Sequence, residues 1–246
     1  MTAIVPTVIN GRWLLELPEH RAIRPQWDIV NGGWEPERLA DMAEWLGPGD
    51  VVYDIGAEEG DLPALWASWG CRVVLFEPNP LVWPNIRAIF EANGLSSKIA
   101  ASFVGFAGPA DYEPAVGNRL VRWELSEQWP KESFGPIIGD HGFLNLCERP
   151  DVPSIKVDTA ASTVIPTGIT IDVEGAELQV LQGAVDTLRV HRPVVWVSIH
   201  PQFMREMHDD TPDQLHDLMG GLDYEGQHLA TDHEEHWRFT PVERTL

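Results

Sequence analysis

Residues 51–60 read VVYDIGAEEG, and residues 72–80 read RVVLFEPNP. Each begins with a run of apolar, β-branched residues, ends in an acid and a turn, and is followed by a stretch with helical periodicity. Each therefore predicts a strand that leads into a helix. Further apolar strands are predicted at 169–173 and 193–199. Because strands that alternate with helices form parallel sheets with helices on both faces, the sequence predicts an α/β fold.

The rest of the chain interrupts this alternation in three places. Residues 1–33 predict an irregular N-terminal extension, and residues 34–246 predict a single domain. Within that domain, residues 107–166 are rich in proline and glycine, so we expect either a functional insertion that covers the acceptor site or a partly mobile segment. The chain then ends in a predicted antiparallel hairpin, with strands near Tyr224–Leu229 and His236–Phe239.

The charge of the chain restricts its partners. Its 246 residues include 38 acids and 17 bases, a formal net charge of −21. Such a chain repels nucleic acids and anionic membranes at long range. It contains no apolar run long enough to span a bilayer, and its N-terminus lacks the basic and apolar regions of a signal peptide. With only two cysteines, Cys71 and Cys147, the sequence predicts a soluble cytoplasmic protein that binds neither nucleic acid nor membrane.

The turn after the first predicted strand indicates a cofactor site. Asp54 ends the strand, and Gly56 and Gly60 allow a close approach of the backbone to a ligand before the next helix begins. Glu77 ends the next strand, where a carboxylate can accept hydrogen bonds from the hydroxyls of a ribose. Together these residues predict a site for a cofactor that contains a nucleoside.

Two acids within the turn, Glu58 and Glu59, discriminate between cofactors. They disfavour a pyrophosphate, and the spacing G-x-x-x-G differs from the G-x-G-x-x-G of dinucleotide sites. S-adenosyl-L-methionine carries a sulfonium and an ammonium group, so it tolerates acids better. A nucleotide-cofactor oxidoreductase remains a weaker alternative.

Four segments resemble the FkbM-type family of S-adenosylmethionine-dependent methyltransferases: VVYDIGAEEG at 51–60, FEPNP at 76–80, NGL at 93–95 and IDVEGAE at 171–177. The last is the most specific, and it is followed by LQGA at 181–184 and RP at 192–193. The resemblance covers roughly residues 34–240. It implies the Rossmann-like class I methyltransferase fold, with seven strands in a mostly parallel sheet and a C-terminal antiparallel hairpin. It also implies transfer of a methyl group to oxygen, commonly a hydroxyl of a sugar, a glycan or a secondary metabolite.

The resemblance also assigns residues to the cofactor. The glycine turn would lie at the amino-acid end of the cofactor and Glu77 at its ribose, while the pair Trp34-Glu35 matches an aromatic–acid pair of the family. The implied cofactor-binding residues are Asp54, Gly56, Ala57, Glu58, Gly60, Glu77, Pro78, Asn79 and Glu35. Three positions depart from the family pattern: Glu58 replaces an asparagine, residues 159–162 read TAAS instead of TLDD, and Ser198 replaces a glutamate.

Acids and a histidine at the ends of the next two strands predict the catalytic residues. Asp172 and Glu174 follow one strand and His200 follows its neighbour, so the three side chains should converge beside the cofactor. We expect Asp172 or His200 to act as general base and Glu174 to bind acceptor hydroxyls. A second interpretation of the same trio is a Mg²⁺ or Mn²⁺ site. For Glu177, stabilisation of a helix N-terminus is the favoured role.

Other candidate residues have simpler interpretations. The sequence His233-Glu234-Glu235-His236 could ligate a metal, but its place in a hairpin turn favours solvated charge. Trp34, Trp123 and Trp129 could line an acceptor pocket.

Three functions are therefore compared. The favoured one is an O-methyltransferase for a hydroxylated small molecule or glycan. The alternatives are a non-catalytic module that binds S-adenosylmethionine and the oxidoreductase.

Overall fold

The core of the protein is a seven-stranded sheet. The computed structural model describes residues 3–23, 33–116, 119–120, 125–127, 129–130 and 152–243. The strand order is β12-β13-β11-β10-β3-β4-β5. In chain order these strands are β3 (Val51–Ile55), β4 (Arg72–Phe76), β5 (Ile99–Phe103), β10 (Gly168–Ile171), β11 (Val194–Ile199), β12 (Tyr224–Thr231) and β13 (Glu235–Pro241). Five neighbouring strands are parallel and β13 is antiparallel to both its neighbours, which confirms the predicted fold class.

Helices cover both faces of the sheet and create two apolar cores. They are α1 (Glu19–Ala22), α2 (Pro36–Trp45), α3 (Asp61–Ser68), α4 (Trp83–Ala92), α5 (Val157–Ala161), α6 (Glu177–Gln182), α7 (Val185–Val190), α8 (Pro201–His208) and α9 (Pro212–Gly221). The central strands are buried on both sides: in β11, Val195 and Val197 face one core and Trp196 faces the other. Their near-continuous apolar runs are the expected consequence.

Pairing between the strands sets the position of the site. Asp54 in β3 is the partner of Thr170 in β10, which is the partner of Trp196 in β11. Since these strands are parallel, their carboxyl ends lie at one edge of the sheet. Asp172 and His200, which follow β10 and β11, therefore reach the same edge as the turn that follows β3.

The N-terminal segment is more regular than the sequence analysis predicts. Two antiparallel strands, β1 (Ile4–Ile9) and β2 (Trp13–Pro18), form a hairpin that continues into α1. The prediction of an irregular extension was wrong for these residues. The three residues 10–12 join the two strands, and Asn10 and Gly11 both have positive φ angles, 50° and 65°, which an Asn-Gly pair tolerates in a tight turn. The Asn-Gly pair carried this signal, but the surrounding prolines hid it.

The segment between β5 and β10 is only partly described. Short strand pairs join β6 (Phe106–Ala107) to β9 (Ser154–Ile155) and β7 (Ala115–Val116) to β8 (Arg119–Leu120). Nearly half of the predicted insertion, including residues 131–151 with Cys147, lies outside the described residues. Downstream, the predicted helix from Gly175 is split into α6 and α7 at Gly183, where a Cβ would overlap the carbonyl oxygen of Gly108.

None of the helices in the described part of the chain combines the length and apolar character needed to cross a bilayer.

Candidate functional site

A cleft of about 980 Å³ opens at the carboxyl edge of the sheet. Its walls come from the turns after β3, β4 and β10, from the start of α2 and from the turn between β12 and β13. The cleft joins the predicted cofactor residues to the predicted catalytic acids, because Asp54, Glu77, Asp172 and Glu174 all line it. A ligand bound beside Asp54 and Glu77 can therefore reach the acids Asp172 and Glu174 within the same cleft.

The glycine turn after β3 brings the backbone close to β10. Gly56 and Gly60 have φ angles of 92° and 91°, a region that disfavours residues with a Cβ. A Cβ on Gly56 would overlap the carbonyl oxygen of Asp172. The amides of Gly56 and Ala57 both donate to the carbonyl of Phe76, which fixes this turn against the end of β4. The turn thus couples the cofactor side of the cleft to the position of Asp172.

Glu77 is buried at the end of β4 and faces the cleft. Its carboxylate accepts hydrogen bonds from the amide of Glu58, at 2.9 Å, and from the amide of Asn79, at 2.7 Å. Burial raises the pKa of Glu77 to about 8, although these hydrogen bonds lower it. The side chain is thus held in a fixed orientation at the edge of the cleft.

Asp54 is the other buried acid on this side. Burial raises its pKa to about 7, and the nearby Arg38 guanidinium opposes the rise. One of its oxygens, Oδ2, has no hydrogen-bond partner among the described residues. A buried, unsatisfied acceptor in a cleft favours a ligand that brings a donor, such as an ammonium group.

Arg38 of α2 links the two sides of the cleft from beneath. Its guanidinium is 1% exposed and donates to Glu35 and to Thr170, both at 2.6 Å. Its Nη1 also lies 3.6 Å from Oδ2 of Asp172. The guanidinium offsets part of the negative charge of the cleft floor.

The N-terminal hairpin contributes a second arginine. Arg21 of α1 donates to both carboxylate oxygens of Glu58, at 2.9 and 2.8 Å, and to Asp61 at 2.8 Å. Next to it, His20 lies 2.6 Å from Glu59. The acids of the glycine turn are therefore paired with an arginine and a histidine from a segment for which the sequence predicts no structure.

A group of five ionisable side chains lies at the opposite end of the cleft: Asp172, Glu174, Glu177, His200 and Glu234, hereafter the His200 cluster. Nδ1 of His200 is 2.8 Å from Oε1 of the fully buried Glu177. Its Nε2 is 2.7 Å from Glu234, 3.4 Å from Glu174 and 3.9 Å from Asp172. Both ring nitrogens thus face carboxylates.

The protonation of the cluster follows from this arrangement. Burial alone would lower the pKa of His200, but Glu177 and Glu234 raise it to about 11. Burial raises the pKa of Asp172 well above its ordinary value, with a further contribution from the Glu234 charge. Although burial opposes it, the contact with His200 lowers the pKa of Glu234 to about 2. When Nε2 carries a proton, His200 is therefore a cation, and Asp172 is the acid with the higher proton affinity.

The Methyltransferase FkbM domain family matches residues 54–225 of the chain. The chain belongs to this family. No curated protein matches the sequence. Among solved structures, an FkbM methyltransferase from Methylobacillus flagellatus KT is 18% identical with a TM-score of 0.48; the match covers 78% of this chain but only 43% of that one.

Two further structures have similar folds. A candidate rRNA methylase from Clostridium thermocellum is 11% identical, with a TM-score of 0.50, and the match covers 84% of this chain and 96% of that one. A precorrin-6y C5,15-methyltransferase from Geobacter metallireducens GS-15 is also 11% identical, with a TM-score of 0.48, and the match covers 85% and 89%. At these identities the likeness supports the methyltransferase fold alone.

In this FkbM-family chain, the predicted residues occupy different depths of the site. Most of the predicted cofactor set lines the cleft: Glu35, Asp54, Gly56, Ala57, Glu58, Glu77, Pro78 and Asn79. Gly60 lies behind the turn and begins α3. Asp172 and Glu174 also line the cleft, whereas His200 lies behind them. Trp34 is at the wall, but Trp129 packs against Phe90 and Arg87 of α4. Trp123 lies outside the described residues.

Sequence reasoning missed three contributors to the site: Arg21, Arg38 and Glu234. The expectation of solvated charge at 233–236 was wrong for Glu234 and His236, which are 4% and 1% exposed. His236 contacts the buried hydroxyl of Ser198, the position at which relatives carry glutamate. The strand 235–241 carried no signal for this burial, because its alternation places Trp237 and Phe239 on one face and His236 on the other.

Proposed function

We propose that this family member is an S-adenosylmethionine-dependent O-methyltransferase for a hydroxyl of a small molecule or glycan. The observation that carries the proposal is the continuous cleft that joins the glycine turn and Glu77 to a cluster of acids at the end of β10. We further propose a cytoplasmic location, with support from the free thiol of Cys71.

The cofactor would lie across the ends of β3 and β4. Ribose hydroxyls would donate to Glu77, which is already oriented by two amides, and Pro78 and Asn79 would flank the nucleoside. The ammonium of the methionine moiety would meet Asp54, whose Oδ2 has no described partner. The turn Gly56–Gly60 and Glu35 would enclose this end of the cofactor.

The acceptor would bind on the acidic side of the cleft. Its hydroxyl oxygen would attack the methyl carbon of the sulfonium as the carbon–sulfur bond breaks, leaving S-adenosylhomocysteine. The proton of the hydroxyl would pass to Asp172, which lines the cleft and whose raised pKa makes it an effective base. We assign the base to Asp172 rather than His200, because both nitrogens of His200 face carboxylates. Glu174 is then placed to bind acceptor hydroxyls, and the acidic surroundings favour a neutral or cationic acceptor over an anionic one.

Calorimetry and an acceptor screen test the proposal in two stages. S-adenosylhomocysteine should bind saturably, and NAD should not. In a screen of hydroxylated sugars and metabolites with labelled S-adenosylmethionine, Asp172→Asn should reduce kcat about 100-fold or more with little effect on cofactor affinity. Binding without turnover on any acceptor would favour the non-catalytic alternative, and binding of NAD alone would reject the proposal.

A further inference from the structure

A carboxylate holds the imidazole of His200 in an orientation that is typical of histidines that ligate metals. Glu177 is an acceptor at every oxygen, so the 2.8 Å contact places a proton on Nδ1 of His200. The same oxygen of Glu177 accepts from the amide of Gly175, at 2.9 Å, which fixes the carboxylate. Metal-bound histidines commonly donate a hydrogen bond from the N–H of their second ring nitrogen to a carboxylate in this way. The geometry leaves Nε2 as the nitrogen that faces Asp172, Glu174 and Glu234.

Oxygen ligands surround this nitrogen. Asp172, His200 and Glu234 each offer one ligand atom within 4.8 Å of the other two, and Oε2 of Glu174 is 3.4 Å from Nε2. The ligands of a six-coordinate divalent ion with bonds of about 2.1 Å are about 3 Å apart. The separations of 2.7 and 3.9 Å from Nε2 to Glu234 and Asp172 bracket this value.

Glu234 supplies an independent observation. Its side chain is 3% exposed, and Oε2 has no hydrogen-bond partner within the residues that the structure describes, although it lies 2.7 Å from Nε2 of His200. A buried carboxylate oxygen without a hydrogen bond is costly, and a bound cation would remove that cost. The buried group points into the cluster from the turn between β12 and β13.

We propose that Asp172, His200 and Glu234 bind one divalent cation, Mn²⁺ or Mg²⁺, at the acceptor end of the cleft. Several carboxylates with a single imidazole favour these ions over the softer metals that thiolates select. The cation would offset the excess of carboxylates in the His200 cluster, whose four acids outnumber the cluster's own histidine and the neighbouring Arg38 together.

This inference rests on the proposed function for its role, though not for its test. Oδ1 of Asp172 faces His200, while Oδ2 faces Arg38. Oδ1 would thus ligate the cation while Oδ2 keeps its contact with Arg38. A cation beside the acceptor hydroxyl would lower the pKa of that hydroxyl and orient its oxygen towards the methyl group.

Binding of Mn²⁺ to the full chain, after removal of metals with a chelator, tests the site directly. Titration followed by electron paramagnetic resonance should show one tightly bound Mn²⁺ per chain. Glu234→Gln, which changes a ligand, should weaken Mn²⁺ binding at least about tenfold. Glu177→Gln leaves the ligands in place but alters the orientation of His200, and it should weaken Mn²⁺ binding about tenfold.

Two control variants carry the same loss of charge. Glu235→Gln changes the neighbouring acid, which contacts Trp237 instead of the cluster, and should leave Mn²⁺ affinity unchanged. Asp232→Asn removes the exposed acid of a second candidate group, Asp232, His233 and Glu234. If Asp232→Asn weakens binding and Asp172→Asn does not, the assignment is overturned in favour of that surface group.

Affinity for S-adenosylhomocysteine separates this inference from the proposed function. Each variant is first checked for binding of S-adenosylhomocysteine. If the Glu234→Gln protein fails to fold, Glu234→Asp replaces it; this variant retracts the carboxylate and should also weaken Mn²⁺ binding. A chain that binds S-adenosylhomocysteine but no Mn²⁺, or whose Glu234 variants bind Mn²⁺ normally, overturns the metal site alone. A chain that binds Mn²⁺ but no cofactor retains the site and rejects the proposed function.

Discussion

Glu77 combines deep burial with two hydrogen bonds from backbone amides, so its ionisation should control cofactor binding. Because ribose hydroxyls donate to its carboxylate, the ionised form should bind the cofactor more tightly. With a pKa of about 8, the affinity for S-adenosylhomocysteine should rise as the pH increases from about 6 to 9, with uptake of a proton by the buffer. Calorimetry in buffers of different ionisation enthalpy measures both effects.

The stability of the fold should depend on Glu77 in the opposite direction. The pKa is raised from 4.5 to about 8 by burial, so the contribution of the neutral carboxyl is fully present below about pH 4.5 and is lost as the pH rises through about 8. Glu77→Gln should remove this part of the pH dependence from both affinity and stability. An unchanged pH profile in Glu77→Gln would show that another group is responsible.

Arg21 compensates for the negative charge of Glu58 in the glycine turn. Its guanidinium pairs with both oxygens of Glu58 and with Asp61. In Arg21→Gln, the negative charge of Glu58 should repel the cofactor's carboxylate, and affinity for S-adenosylhomocysteine should fall about tenfold, since hydrogen bonds to charged groups contribute about 1.5–3 kcal/mol. Calorimetry measures the loss.

A second substitution separates this effect from general damage to the hairpin. Glu58→Asn in the Arg21→Gln background should restore most of the affinity, because it removes the unpaired charge. Arg12→Gln on the same hairpin, where Arg12 stacks on Trp13, should have no effect on affinity. Equal losses in Arg21→Gln and in the double variant would show that charge is not the cause.

The turn after β3 and the end of β10 are in such close contact that a side chain at Gly56 should destabilise the fold. Gly56→Ala would place a Cβ against the Asp172 carbonyl in addition to straining a φ of 92°. We expect a loss of about 2–4 kcal/mol in the free energy of unfolding, together with weaker cofactor binding. Urea denaturation measures the loss in the free energy of unfolding.

Gly49→Ala is the matched control for that experiment. Gly49 has a similar φ of 106°, but open space surrounds the position of its Cβ. Gly49→Ala should lower the free energy of unfolding by about 1–2 kcal/mol, the cost of the backbone strain alone, and should leave cofactor affinity normal. A Gly49→Ala protein as unstable as Gly56→Ala would mean that the contact with Asp172 is unimportant.

Much of the sheet was predictable because its strands are short apolar runs with acids or turns at their carboxyl ends. The seven-stranded, mostly parallel sheet with its C-terminal antiparallel hairpin was implied by the resemblance and is confirmed by the structure. The N-terminal hairpin was missed because Pro6 and Pro18 outweighed the Asn10-Gly11 signal. Its strands are stabilised by packing against distant elements, which a local pattern does not reveal.

The candidate site was predictable where its residues follow strands directly, as Asp54, Glu77, Asp172 and His200 do. Glu234 was not, because it follows an exposed strand in an acid-rich stretch. Only the pairing of β13 with β11 brings it within 2.7 Å of His200. Long-range pairing of this kind carries no signature in the neighbouring sequence.

For the whole molecule, the net charge of −21 predicts a response to salt. Repulsion among the surplus acids opposes the compact state, and salt screens it over distances of about 10 Å at 0.1 M. The Tm should therefore rise by several degrees when NaCl increases from about 0.02 to 0.5 M. Calorimetry at constant pH measures the change, and a Tm that falls or stays constant would indicate that local ion pairs dominate.

The residues matched by the family, 54–225, exclude Arg21, Arg38 and Glu234. Two of these lie before the match and one after it, yet they contact Glu58, Asp172 and His200 inside it. A fragment trimmed to residues 54–225 would keep only the last two residues of the central strand β3 and would lose the charges that balance its site. For protein engineering, the transplantable unit of this FkbM-family chain is thus larger than the matched residues, and chimeras should exchange both flanks together.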